Sequence, residues 1–192
     1  LAVFDTSADK RDFFCEKGLR IAASNQELVE SSDLIFLAVK PQVISLVLEE
    51  IQGMTAGKCV ISIAAGVTVS RLREALGGET HIVRVLPNTP MLVLKGATVV
   101  AKPDDVPQGD FDLILAIFRA AGEVELLEEE HINQVIPVSS SSPAFFFRMI
   151  RAMARAGENC GIAYPTALKL AVATMHGAAH MMMESGKTPD EL

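Results

Sequence analysis

The sequence predicts an α/β domain on a mostly parallel sheet, followed by an all-helical domain. Over residues 1–127 short apolar runs alternate with amphipathic segments. Within that span residues 34–39 are apolar without alternation, as in a strand buried on both faces of a parallel sheet. From residue 128 to residue 192 the pattern is purely helical. Strands separated by helices need crossover connections, which are right-handed and cover both faces of the sheet.

The elements follow in order. Residues 2–4 read as a strand, 8–17 as a helix stopped by Gly18, 19–21 as a short strand and 26–30 as a helix. After the strand at 34–39 come a helix at 43–51, a strand at 59–63, and a helix at 70–76 stopped by Gly77 and Gly78. Residues 81–85 and 97–101 are strands, 110–120 a helix and 124–126 a final strand. Beyond the boundary at 127/128, Ser142 and Pro143 supply an N-cap and a first-turn proline for a helix reaching Cys160 and closed by Gly161. Pro165 opens a second long helix ending near Ser185 and Gly186. Two long, weakly charged helices do not bury all their faces alone, so a partner chain or further helices are expected.

Composition narrows the classes. The chain has 192 residues, 49% apolar and 21% charged, which excludes disorder and suffices for one good core or two modest ones. A formal net charge of −7 opposes a nucleic-acid partner. The nearest approach to a basic patch is Arg148, Arg151 and Arg155, spaced like one helix face. Cys15, Cys59 and Cys160 are scattered in apolar surroundings without zinc or disulfide spacing, and read as buried thiols in a reducing compartment. No basic segment leads into an apolar run at the start, so no secretory leader is expected and the setting is cytoplasmic. Residues 167–183 are apolar but contain Lys169, His176 and His180, too short and too interrupted for a membrane span. His176 and His180 share a helix face, yet no carboxylate or third ligand stands near them, so no metal is expected.

Ligands in open α/β sheets bind beyond the carboxyl ends of the strands. Three motifs stand there: Ala38-Val39-Lys40-Pro41, Ala64-Ala65-Gly66 and Pro87-Asn88-Thr89-Pro90. Together they describe a cleft with one cation, exposed backbone groups and little bulk, which suits a nucleotide. Taken singly, such motifs are usually no more than a solvated lysine, a tight βα turn and a loop; it is their placement at three successive strand ends that points to a ligand.

Four blocks make the pattern specific: Leu37-Ala38-Val39-Lys40-Pro41, Ser62-Ile63-Ala64-Ala65-Gly66-Val67-Thr68, Arg84-Val85-Leu86-Pro87-Asn88-Thr89-Pro90 and Ser139-Ser140-Ser141-Ser142-Pro143-Ala144-Phe145. In order and spacing they resemble pyrroline-5-carboxylate reductase along essentially the whole chain. The resemblance implies a Rossmann-type domain and a helical domain that interlocks with a second protomer, giving a homodimer or larger homo-oligomer. It also implies hydride transfer from NADPH or NADH to 1-pyrroline-5-carboxylate, giving L-proline.

Carried over by position, Ser7 matches the residue at the adenosine 2′-phosphate or ribose, and Asn25 a cofactor-contacting asparagine. Ala38, Val39, Lys40 and Pro41, with Ile63, Ala64 and Ala65, match the segments flanking the dinucleotide. Asp5 favours a free ribose hydroxyl and hence NAD, whereas Thr6 and Ser7 favour a phosphate and hence NADP. Both cofactors therefore stay open. Ser141, Ser142 and Pro143 match the family's Ser-Gly-Ser-Gly-Pro-Ala-Tyr segment and are the expected substrate positions. A helix N-terminus with hydroxyls suits the substrate carboxylate, and a plain N-cap after a polar loop fits the same residues equally well. Ser140 stands where the family has glycine, and Phe145 where it has tyrosine.

The family's opening Gly-x-Gly-x-x-Ala turn and its later Ser-Pro-Gly-Gly-Thr loop have no counterpart in these 192 residues. On that reading the sequence is a fragment, expected to bind dinucleotide poorly and not to turn over. By resemblance, proton delivery belongs to the threonine loop or to water, so no residue is assigned a catalytic role. Two alternatives stand beside this: a catalytically silent interaction module, and a related imine or 3-hydroxyacid reductase. The latter branch would want a lysine base on the first long helix, and none lies between Pro143 and Gly161.

Overall fold

Short polar caps and largely buried apolar strands generate most of the architecture. The computed structural model describes residues 1–101, 103 and 105–192. It divides into two compact units, Leu1–Ser140 and Ser141–Leu192.

In the first unit the elements are β1 (Ala2–Val3), α1 (Ala8–Glu16), β2 (Arg20–Ile21), α2 (Asn25–Glu30), β3 (Leu34–Leu37), α3 (Ile44–Glu50) and β4 (Cys59–Ser62). They continue with α4 (Val69–Leu76), β5 (His81–Leu86), β6 (Gly96–Ala101), α5 (Gln108–Arg119), β7 (Gly122–Leu127) and α6 (Glu129–Ile132). The Ser24 and Thr68 hydroxyls accept the Glu27 and Arg71 N–H groups at 3.1 and 3.3 Å, which starts α2 and α4. Lys58 Nζ donates to the Val29 and Ser32 carbonyls at 2.9 and 2.7 Å, closing the far end of α2.

β1 and β2 form a two-stranded parallel sheet, and β3-β4-β5-β6-β7 a second, five-stranded one. Among the described residues β1 and β3 share no ladder, so the single sheet expected from sequence is two. Within the larger sheet every step is parallel except β5 to β6. That reversal has a plain cause. Only residues 87–95 join the two strands, too few for a crossover. They turn through a 3₁₀ segment, Thr89–Val93, ended by Leu94 at φ 58°.

Alternate residues of the strands serve two cores, as the pleat requires. Ile35, Leu37, Val60 and Ile82 pack with Ile44, Leu48 and Leu72 from α3 and α4. Cys59, Ile61, Val83 and Val85 pack with Ile114, Leu115 and Phe118 from α5. Each such side chain contributes about 1.5–3 kcal/mol when fully buried. The result is a Rossmann-like layering, with helices on both faces of a mainly parallel sheet. Where β6 and β7 begin side by side, Gly96 and Gly122 are in register, and a Cβ on Gly122 would lie 2.1 Å from the Gly96 carbonyl oxygen.

The helical pattern does begin at 129, but the first compact unit runs on to Ser140. Ile132 is fully buried against Leu86, Val99 and Ala101, which ties residues 129–140 to the sheet. The second unit consists of α7 (Ser142–Asn159) and α8 (Tyr164–Ser185), joined by a short turn through Gly161 at φ 91°. Small residues let the two helices approach closely. Ala154, Ala167 and Ala171 are buried, and a Cβ on Gly157 would lie 2.9 Å from Ala167 Cβ. The large apolar side chains face outward instead: Phe145, Phe147, Met149, Leu170 and Met183 are all more than half exposed. Among the described residues no helix is long and apolar enough to cross a membrane.

Candidate functional site

The parallel pairing of β3 with β4 sets Leu37 opposite Ser62, and the Ile63 N–H donates to the Leu37 carbonyl at 3.3 Å. The segments that follow therefore emerge side by side from one edge of the sheet. One is Ala38, Val39, Lys40 and Pro41; the other is Ile63, Ala64 and Ala65. Lys40, Pro41 and Ala65 are exposed, whereas Ala64 is buried. The Ser62 hydroxyl accepts the Ala64 N–H at 3.3 Å, and Gly66 turns the chain at φ 77°, in the region that favours glycine.

At the end of β1 a second cluster forms. Asp5 Oδ1 accepts the Ser7 N–H at 2.8 Å, and Oδ2 accepts from Lys10 Nζ at 3.1 Å. Arg11 Nη1 donates to the Asp5 backbone carbonyl at 2.7 Å. The Ser7 N–H bond, with Lys10 and Arg11 beside it, holds the Asp5 carboxyl below the usual range. Ser7 is the N-cap of α1, but its side chain makes no cap bond.

A gap of about 1060 Å³ lies between β1 and β3, lined by the strand residues themselves, Ala2 to Phe4 and Leu34 to Leu37. Asp5, Lys10, Asn25, Ala38 and Val39 line it, with Phe14, Leu28 and Phe36 supplying apolar walls. Asn25 Nδ2 is engaged by Glu50 Oε2 at 2.7 Å. Of the sequence-derived cofactor positions, Asn25, Ala38 and Val39 border this gap. Ser7, Lys40, Pro41 and Ile63 to Ala65 flank the strand ends without lining it.

The serine run is two structures in one. Residues Ile136–Ser140 form a π-helical turn, and the Ser139 and Ser140 Oγ atoms are buried with no hydrogen-bond partner among the described residues. An unmet buried hydroxyl costs about 1–3 kcal/mol, and such turns recur at functional sites. Ser141, not Ser142, is the N-cap of α7; Ser142 and Pro143 occupy its first two positions. Asn88, which sequence reading offers to a ligand, is spent internally on Ala97 and Ser139.

Several residues of this region escape sequence reading. Lys10 and Arg11 read there only as part of a helix. Arg84 is 2% exposed, donates to Asn133 Oδ1 at 2.7 Å and stands 3.6 Å from Glu129 Oε1. The same Glu129 oxygen accepts the Val69 N–H at 2.7 Å, at the first residue of α4. A lone arginine inside the run His-Ile-Val-Arg-Val-Leu was the available signal, since a buried charge demands partners. His176 and His180 are exposed with stacked rings, and among the described residues no group of three ligands gathers for a metal. Cys15 and Cys160 are exposed rather than buried, α1 having no buried residue at all. Cys59 is buried, and burial first, then Asp110 and Asp105, pushes its thiol up to about 11.

Comparison with known proteins decides the family. Residues 129–192 match the family model described as pyrroline-5-carboxylate reductase dimerisation, and residues 3–66 that described as NADP oxidoreductase, coenzyme F420-dependent. The pyrroline-5-carboxylate reductase of Methanosarcina acetivorans is 39% identical over 183 residues, covering 95% of this chain and 68% of that protein. The chain belongs to the pyrroline-5-carboxylate reductase family. The Escherichia coli (strain K12) member is 42% identical over 176 residues, covering 91% of this chain and 65% of that one. The chain thus spans about two thirds of such reductases, 65–66% for the bacterial relatives from Escherichia coli and Corynebacterium melassecola. Among solved structures, the reductase of Coxiella burnetii aligns at TM-score 0.90 with 36% identity, covering 97% of this chain and 71% of that one. A Plasmodium falciparum pyrroline carboxylate reductase with NADP bound aligns at TM-score 0.90 with 28% identity, covering 100% and 71%. A Streptomyces aurantiacus imine reductase, 15% identical at TM-score 0.65, shares the fold.

Proposed function

We propose that this chain supplies dinucleotide-binding strand ends and the serine turn of a reductase that converts 1-pyrroline-5-carboxylate to L-proline with NADPH. The observation that carries the reading is the side-by-side emergence of residues 38–41 and 63–65 from the carboxyl ends of paired parallel strands. Small side chains there admit a flat, bulky ligand to the backbone. When bound, the reduced nicotinamide supplies a hydride to the imine carbon, and the ring nitrogen takes a proton from solvent or a neighbouring donor.

The chain's own residues bind and orient. Ser7, Asn25, Ala38 to Pro41 and Ile63 to Ala65 hold the dinucleotide. Ser141, Ser142 and Pro143, at the start of α7, meet the imino acid. Asp5 decides the cofactor. Each of its carboxylate oxygens already accepts one hydrogen bond, from Ser7 and Lys10, which weakens it as an acceptor for a ribose hydroxyl. Lys10, Arg11 and the α1 N-terminus set positive groups beside Asp5 and Asp9 at that corner, and these suit a 2′-phosphate. NADPH is therefore favoured over NADH.

The outward apolar faces of α7 and α8 fit association with a second copy, giving a homodimer or larger homo-oligomer in a reducing cytoplasm. The reading is tested by thermal melting of the natural gene product with each cofactor, since a ligand stabilises the state it binds. NADPH should raise the midpoint more than NADH. No rise with either would count against a dinucleotide at the strand ends, and a monomer by light scattering against the paired helices.

A further inference from the structure

Asn88 is the point where a strand end and the serine turn are joined. Its Oδ1 accepts the Ala97 N–H at 2.9 Å, and its Nδ2 donates to the Ser139 carbonyl at 3.1 Å. One partner is a backbone N–H and the other a carbonyl, so together they fix which way round the amide sits. The first bond reaches the start of β6, inside the five-stranded sheet. The second reaches 51 residues along the chain to the π-helical turn at Ile136–Ser140.

Ser139 and Ser140 each carry a buried Oγ with no hydrogen-bond partner among the described residues. A pair of donors facing protein without partners is the arrangement expected of groups that meet a ligand, provided something rigid holds them in place. The sheet is rigid, and Asn88 connects the turn to it.

We propose that Asn88 is a positioning residue, which anchors the serine turn to β6 so that the Ser139 and Ser140 hydroxyls meet the bound imino acid in a single orientation. This rests on the reductase reading above. Asn88 itself contacts two backbone groups and acts through the serines. Asp at this position keeps the acceptor for Ala97 but loses the donor to Ser139; Ala loses both.

The test compares the natural gene product with its Asn88→Asp and Asn88→Ala variants, by hydrogen exchange and by steady-state kinetics. Asn88→Asp should keep the Ala97 amide protected and melt within a few degrees of the parent. It should speed exchange in the peptide spanning Ser139 and Ser140, and raise KM for 1-pyrroline-5-carboxylate about tenfold, with KM for NADPH little changed. Asn88→Ala should add loss of protection at Ala97. A loosened turn with unchanged KM for the imino acid would overturn the proposal, and so would unchanged exchange in the turn. If the parent reduces no imino acid, the reductase reading fails separately. Exchange then decides the anchor alone: faster exchange in the turn of Asn88→Asp supports it, and equal exchange overturns it.

Discussion

Removing the Glu129 carboxylate should unfasten residues 129–140 from the sheet, because one carboxylate serves two elements. It stands 3.6 Å from the Arg84 guanidinium, itself 2% exposed, and it accepts the Val69 N–H at 2.7 Å. In Glu129→Ala the guanidinium keeps only its bond to Asn133 at 2.7 Å among those contacts. Breaking a fully buried ion pair costs about 3–5 kcal/mol, but the Glu129 side chain is 32% exposed, so water screens part of the loss. Losing the charged acceptor on Val69 adds about 1–2 kcal/mol at a helix N-terminus. A total near 3 kcal/mol is expected, which for a chain of this size lowers the melting midpoint by about 6–12 °C. Glu129→Gln keeps an acceptor for Val69 and should lose about half as much. Urea titration followed by circular dichroism measures both variants, and a double-mutant cycle with Arg84→Met isolates the pair, whose coupling should exceed about 1 kcal/mol. If Glu129→Ala and Glu129→Gln both stay within about 0.5 kcal/mol of the parent, the network does not hold the segment and the reasoning fails.

Three further outcomes are expected. Lys10→Glu places a negative charge where the 2′-phosphate is proposed to lie, and should raise KM for NADPH about tenfold with a smaller effect on NADH; equal effects on both cofactors would remove Lys10 from that role. Under native conditions near neutral pH a maleimide reagent should label Cys15 and spare Cys59, whose buried thiol ionises only near 11, until denaturant exposes it; mass spectrometry of the labelled peptides reads this, and early labelling of Cys59 would contradict its burial. Gly122→Ala puts a methyl 2.1 Å from the Gly96 carbonyl oxygen at a φ of 146°, and should cost about 3 kcal/mol of stability in the same urea titration; a neutral result would mean that the two strands do not approach so closely.

How much of this could be read from the residues differs between fold and site. The unbroken apolar run at 34–39 predicts a strand buried on both faces; β3 is the strand, but Ile35 and Leu37 are buried while Leu34 is half-buried and Phe36 exposed, so only one of its faces is covered. The reversal of β6 was hidden, since a strand's direction depends on the length and turn of the link before it. The segment 129–140 looks helical in sequence, and only the burial of Ile132 shows which unit it joins. At the site, motifs after strand ends were legible because βα loops carry ligands in any such sheet. Asp5 was legible as an acid at a cofactor corner, but not as one already satisfied by Ser7 and Lys10. That requires the turn geometry. Asn88 looked available for the same reason: a side chain's partner 51 residues away leaves no local trace.

The most direct measurement of the central claim is NADPH oxidation by the natural gene product in the presence of 1-pyrroline-5-carboxylate, with its intact mass and the proline formed measured on the same sample. One proline formed for each NADPH consumed, and little consumption without the imino acid, is the result expected of a pyrroline-5-carboxylate reductase. NADPH binding without proline formation would contradict that function and leave a member of the family that keeps the fold alone.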